Sequence, residues 1–143
     1  MILVVTGSRT FGNAELVDSA LAAIHSDSEL SGIEFLVSGH SVNGADRLAE
    51  EWADRNAIAK ILVPAPWQAG RMAGLTRNTD MLQITRAIGT EMNKEIGLIA
   101  FPKNCKMHRC SQRDTHWTHG TRDCWAKAVQ MGIKRKYVTD EVT

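Results

Sequence analysis

The sequence predicts an α/β fold, a Rossmann-like parallel five-stranded sheet of order 3-2-1-4-5 with helices on both faces. Three observations carry that prediction. Short apolar runs rich in β-branched residues alternate with segments whose apolar positions fall three and four apart. Loops containing glycine or proline stop the runs. The connections are short, so successive strands run parallel through right-handed crossovers.

Ile2 to Val5 read as the first strand, closed by Thr6-Gly7-Ser8-Arg9. Asn13 caps a helix with apolar positions Leu16, Val17, Ala20, Leu21 and Ile24, and Ser26 to Gly32 break it. Ile33 to Val37 form the second strand, with Ser38-Gly39-His40-Ser41 as the loop at its end. Asn43 is expected to cap the next helix, in which Ala45, Leu48, Ala49, Trp52 and Ala53 share one face and Asp46 meets the first-turn amides. Ala59 to Val63 form the third strand, stopped by Pro64 and Pro66.

Trp67 to Gly74, with Arg71, reads as a loop, followed by a helix from about Thr76 towards Ile88, with Gly89 to Glu95 either a frayed extension of it or a separate turn. Ile96 to Phe101 form the fourth strand. Thr118 or Thr121 caps the last helix, whose Trp125, Ala128 and Val129 are expected to face the core, and Gly132 ends it. Ile133 to Val138 form the last strand, charged enough for a sheet edge.

Length and composition narrow the function classes. The 143 residues suit one domain, 1–143, and 43% hydrophobic content suffices for a core. A net charge of +1 gives no bulk electrostatic case for nucleic acid or an anionic membrane. No apolar run is long enough to span a membrane. The first residues lack a basic segment and a separate signal region, so a cytoplasmic location is expected. Three cysteines fit a reducing compartment better than a disulfide framework.

Open α/β sheets bind ligands beyond the carboxyl ends of their strands, where the strand order reverses. Here that switch point lies between strands one and four. It gathers Gly7, Ser8 and Arg9, the neighbouring Ser38, Gly39 and His40, and the amides at Gly120 and Thr121. A glycine, hydroxyls and a guanidinium suit a phosphate or carboxylate. Neither the G-x-G-x-x-G fingerprint nor a Walker lysine is present, so phosphate contacts would be assembled from several loops.

Gly7-Ser8-Arg9, Ser38-Gly39-His40 leading to Asn43-Gly44-Ala45-Asp46-Arg47-Leu48-Ala49, Pro64-Ala65-Pro66-Trp67, Ala73-Gly74 with Arg77-Asn78 and Met81, and Gly120-Thr121 run in order along nearly the whole chain. Together they resemble the YspA-like, YpsA-related SLOG family, also called domain of unknown function 2493. The wider superfamily is Rossmann-like and includes the cytokinin-activating phosphoribohydrolases (LOG), the DNA-processing protein DprA and sensors of NAD-derived nucleotides. Short members occur in phages. The resemblance implies nucleotide binding and homo-oligomerisation through helices, and it gives Arg77 a ligand role by its hydrolase counterpart.

The sequence departs from these relatives twice. Asn43 stands where they carry an arginine, and Cys124 stands where the hydrolases carry their catalytic glutamate. Asp123 is one position early, about 100° around a helix, and is the catalytic candidate only if the chain is a hydrolase.

Arg9 and Arg77 are the leading anion contacts, and Ser8 and Thr121 are phosphate candidates. Asn78 reads equally as a ligand contact or a loop brace, and Asp46 reads more as architecture. Trp67 either stacks on a base or ribose or packs as a lid. Periodicity places Trp52 and Trp125 in the core.

Pro102 to Thr118 lacks apolar periodicity and holds Lys103, Lys106, Arg109 and Arg113. A long irregular segment in a compact domain suggests a mobile binding flap. Cys105, His108, Cys110, His116, His119 and Cys124 are ligand types that suit zinc. Their spacing matches none of the well-known signatures, so the expectation is no metal and no cofactor.

The residues favour a sensor or sequestering protein for a phosphorylated nucleotide or an ADP-ribose- or NAD-derived ligand. The alternative is a nucleoside 5'-monophosphate phosphoribohydrolase-like N-glycosidase, which needs a carboxylate for the developing cationic sugar. A nucleic-acid module is disfavoured by the near-neutral charge and the lack of an aromatic-basic platform.

Overall fold

The first strand, β1 (Ile2–Gly7), lies at the centre of a five-stranded parallel sheet. A computed structural model describes residues 1–27 and 31–141. The other strands are β2 (Phe35–Ser38), β3 (Ala59–Leu62), β4 (Ile96–Phe101) and β5 (Lys134–Tyr137), in the expected order β3-β2-β1-β4-β5. The helices are α1 (Ala14–His25), α2 (Ala45–Arg55), α3 (Ala73–Met92) and α4 (His119–Gln130).

Residues 2–5 of β1 are apolar at every position because helices cover both faces of the sheet. Ile2 and Val4 enter one layer with Val37, Leu98 and Ala100, packed on Met81 and Leu82 of α3 and Cys124 and Ala128 of α4. Leu3 and Val5 enter the other, with Leu36 and Ile99, on Val17 and Leu21 of α1 and Ala49, Trp52 and Ala53 of α2. The charged β5 is exposed along its length at the edge.

Local signals set several ends correctly. Asn13 caps α1, its side chain accepting from the Leu16 amide at 3.1 Å. Thr118 is the residue before α4, and Gly132 follows that helix with φ 68°. The expected break at Ser26 to Gly32 begins at Ser26, which ends α1, and residues 28–30 of it lie outside the described residues.

Other expectations are corrected by tertiary contacts. Asn43 does not cap α2; Gly44 precedes the helix, and the Ala45 amide donates to the Ser8 carbonyl at 3.1 Å. α3 begins earlier than expected, at Ala73, after a 3-10 turn at Trp67–Ala69; at its other end it takes the extended alternative and runs to Met92, where Asn93 turns left-handed at φ 54°. Val129 is 44% exposed, because Thr121, Cys124 and Ala128 define the buried stripe of α4. Trp125 is only partly buried, in an edge-to-face trio with Trp117 and Tyr137. Trp52 is buried as expected.

The 102–118 segment is less irregular than its sequence suggests. Asn104 and Trp117 form an antiparallel bridge, flanked by hydrogen bonds from the Cys105 amide to the His116 carbonyl (2.7 Å) and from the Thr118 amide to the Lys103 carbonyl (3.0 Å). No described helix is long and apolar enough to cross a membrane.

Candidate functional site

A cavity of about 800 Å³ opens at the carboxyl ends of β1 and β4, within the usual range for a small-molecule site. Its walls come from the loop after β1, the start of α3, the 102–118 segment and the start of α4. Of the sequence candidates, Gly7, Ser8, Arg9, Gly39, Trp67, Arg77, Asn78, Gly120 and Thr121 line it. Ser38, His40 and Asp123 do not.

The first two of these are occupied elsewhere. The Ser38 hydroxyl donates to Glu50 Oε2 (2.8 Å) and accepts from the His40 amide, and His40 Nδ1 donates to Glu50 Oε1 (2.8 Å). These bonds hold His40 in a left-handed conformation, φ 57°. The pair therefore shapes the loop after β2. Asp123 accepts from Asn78 Nδ2 (3.0 Å) and pairs with Lys127 (2.9 Å). Its carboxylate braces α3 against α4.

The two leading arginines behave differently. Arg77 is half-buried. Its Nη1 donates to the Gly39 carbonyl at 2.6 Å and lies 3.4 Å from that of Val63, while Nε donates to Asn78 Oδ1 at 3.2 Å. Burial lowers its pKa, partly opposed by Asp46. A β-carbon on Gly39 would overlap the guanidinium, which explains why glycine and arginine occur together in this chain. Arg77 thus locks the loop after β2 to α3 and forms part of the cavity wall. No pair with Asp80 forms among the described residues.

Arg9 is exposed and lies 4.9 Å from the Trp67 ring centroid, in a cation–π contact. Trp67 is itself 52% exposed, and its ring rests over Gly74, where a β-carbon would come within 2.9 Å. The Pro66-Trp67 and Ala73-Gly74 elements are therefore one unit.

At the opposite wall, the first α4 amide with a backbone acceptor is that of Arg122, bonded to Thr118 at 3.0 Å. The amides of His119, Gly120 and Thr121 precede it, at the positive end of the helix. Asn78 Nδ2 also donates to the Gly120 carbonyl (3.1 Å) and so fixes this turn. Thr121 is buried, with its hydroxyl 3.3 Å from that of Thr118. Ser8 is buried as well, with its hydroxyl 2.9 Å from Thr10 Oγ1.

Lys103 and Lys106 of the cationic 102–118 segment join Arg9 and Arg77 in the lining, together with Arg71, which the sequence placed only in a loop, against the carboxylates of Asp46 and Glu141. Lys103 is paired with Asp140 (3.2 Å) and Glu141 (3.7 Å). Among the described residues, Arg9, Arg71 and Lys106 have no ion-pair partner, which leaves the cavity with uncompensated positive charge. Arg71 lies three residues before Gly74, so its position near the start of α3 was the available signal. Glu141 lies beyond the last strand and had none.

Asp46 is buried, accepting from the Ser41 amide at 3.1 Å, and burial raises its pKa while Arg77 opposes the shift. Burial pushes the Cys124 thiol up to about 12, so it stays protonated in the sheet-facing stripe of α4. The 102–118 segment instead gathers Cys105, Cys110, His116 and His119, with His119 also in the cavity wall.

Residues 1–70, which carry the Gly7-Ser8-Arg9 and Gly44-Ala45-Asp46 elements, match the family model described as YspA, cpYpsA-related SLOG family. Searches of curated proteins and of solved structures returned no match. The matched residues, just under half of the chain, supply strands β1 to β3 of the sheet, and the match supports assignment to the YspA, cpYpsA-related SLOG family.

Proposed function

We propose that the protein binds a phosphorylated nucleotide, or an ADP-ribose- or NAD-derived ligand, as a sensor or sequestering protein. The observation that carries this reading is the meeting of three features in one cavity: Arg9, Arg71 and Lys106, which have no ion-pair partner among the described residues, the free amides of Gly120 and Thr121, and the half-exposed Trp67 indole, on which Arg9 lies. The amides and cations suit phosphate oxygens. The indole offers a stacking surface for a base.

The phosphoribohydrolase-like alternative needs a carboxylate beside the sugar. Asp123 is off the cavity lining and committed to Asn78 and Lys127. Asp46 does line the cavity but is only 6% exposed. The arrangement therefore favours binding without turnover.

The test is to titrate nucleoside monophosphates, ADP-ribose, NAD and cyclic ADP-ribose forms into the purified protein, measuring heat and released base on the same samples. Saturable binding of at least one phosphorylated ribonucleotide without base release is expected, with Asp123→Asn leaving affinity nearly unchanged. Sustained base release abolished by Asp123→Asn, with affinity intact, would establish the hydrolase.

A further inference from the structure

We propose that Cys105, Cys110, His116 and His119 bind one zinc ion as a closed structural site. One ligand atom from each lies within 4.8 Å of all the others. The two imidazole Nε2 atoms are 3.2 Å apart. Cys110 Sγ lies 3.4 Å from His116 Nε2 and 3.3 Å from His119 Nε2, and Cys105 Sγ lies 3.6 Å from His119 Nε2. Ordinary zinc–sulfur and zinc–nitrogen bond lengths around a tetrahedron give N···N edges of about 3.3 Å and S···N edges of about 3.6 Å. Four of the six edges therefore match such a tetrahedron, and the other two, from Cys105 Sγ to Cys110 Sγ and to His116 Nε2, are no longer than 4.8 Å.

Hydrogen bonding among the four groups does not account for this convergence. An imidazole nitrogen has one proton or one lone pair, yet His119 Nε2 faces Cys105 Sγ, Cys110 Sγ and His116 Nε2 together. His116 Nδ1 faces the Asp114 carbonyl at 2.7 Å and must donate to it, which leaves Nε2 as a lone pair aimed into the cluster. That backbone contact is the outer support by which a metal-bound histidine is usually oriented. A cation at the centre satisfies all four atoms, with both thiol protons released on binding.

Two sulfurs and two nitrogens in tetrahedral spacing select zinc among common metals, and four protein ligands leave no open coordination position. Spacing along the chain argued for a metal-free segment. The spacing in space comes from the Cys105–His116 backbone bond and from a turn in which the Cys110 amide donates to the Met107 carbonyl. Neither is visible as a sequence signature.

The ion would tie the 102–118 segment to the start of α4. His119 is the first residue of that helix, and Cys105 is flanked by Asn104 and Lys106 of the cavity wall. The site holds whether or not the cavity binds a nucleotide.

The experiment measures metal in the 143-residue chain purified under reducing conditions without added metal, then follows Co²⁺ uptake by the stripped protein. One zinc ion per chain is expected, with a Co²⁺ spectrum showing thiolate charge transfer and the intense d–d bands of tetrahedral coordination. Changing Cys105 and Cys110 together to serine should abolish both signals, whereas Cys124→Ser should keep both. The wild-type Co²⁺ spectrum makes the test independent of whether the double variant folds. Negligible zinc together with no thiolate charge transfer from added Co²⁺ would overturn the proposal. Zinc retained by the folded double variant would overturn it too.

Discussion

Gly44→Ala is expected to destabilise the protein by about 3–5 kcal/mol, the sum of a strained backbone and a steric overlap. Gly44 has φ 80° and ψ −149°, a region that is almost exclusive to glycine. An added β-carbon would also run into the Ser8 carbonyl and the Arg9 backbone. Neither neighbour can move cheaply, since the Ser8 carbonyl also accepts from the Ala45 and Phe11 amides at 3.1 Å. Because the overlap falls on the loop that carries Arg9, any surviving folded fraction should bind ligand poorly. Gly12→Ala is the control: a β-carbon there meets nothing within 4 Å, and its φ is not positive. Urea denaturation of the two variants checks the contrast. Equal stability of Gly44→Ala and wild type would contradict the close packing of the α2 start on this loop.

Arg9→Ala should weaken binding of a phosphorylated ribonucleotide by about 1.5–3 kcal/mol, the range for a hydrogen bond to a charged partner. The folded protein should lose little stability, because Arg9 is exposed and its cation–π contact with Trp67 is worth only about 0.5–1 kcal/mol. Arg77→Ala should lower affinity by a similar amount but also lower stability, since it strips donors from the Gly39 and Val63 carbonyls. Calorimetric titration and thermal unfolding of both variants separate the two roles. An Arg9→Ala variant that binds like wild type would remove the principal anion contact from the proposal.

The strand order was legible because each buried run is short, β-branched and punctuated, and because connection lengths leave few parallel topologies. The clustering of the leading candidate residues was legible for a related reason. The end of β1 and the start of α4 meet where the order reverses, so topology alone puts Arg9 and Thr121 on one crevice. What could not be read depended on contacts between distant segments. Nothing near Asn43 reveals that the Ser8 carbonyl receives the first α2 amide instead. Ser38 and His40 look like loop donors until Glu50, 12 and 10 residues away, takes both. The zinc-type side chains were visible as types, but their convergence depends on the bridge between Asn104 and Trp117.

The most direct measurement of ligand binding in the cavity is the backbone amide NMR spectrum during titration with ADP-ribose and with a nucleoside monophosphate. A phosphate held at the start of α4 accepts hydrogen bonds from amides that otherwise lack protein acceptors. The Gly120 and Thr121 amides should therefore move downfield and saturate together with the Trp67 indole signal, for at least one of the ligands. Arg9→Ala should shift the same resonances at higher ligand concentration. Saturable shifts confined to β5 or the exposed helix faces, with Gly120, Thr121 and Trp67 unmoved, would place the ligand elsewhere and contradict the proposed site.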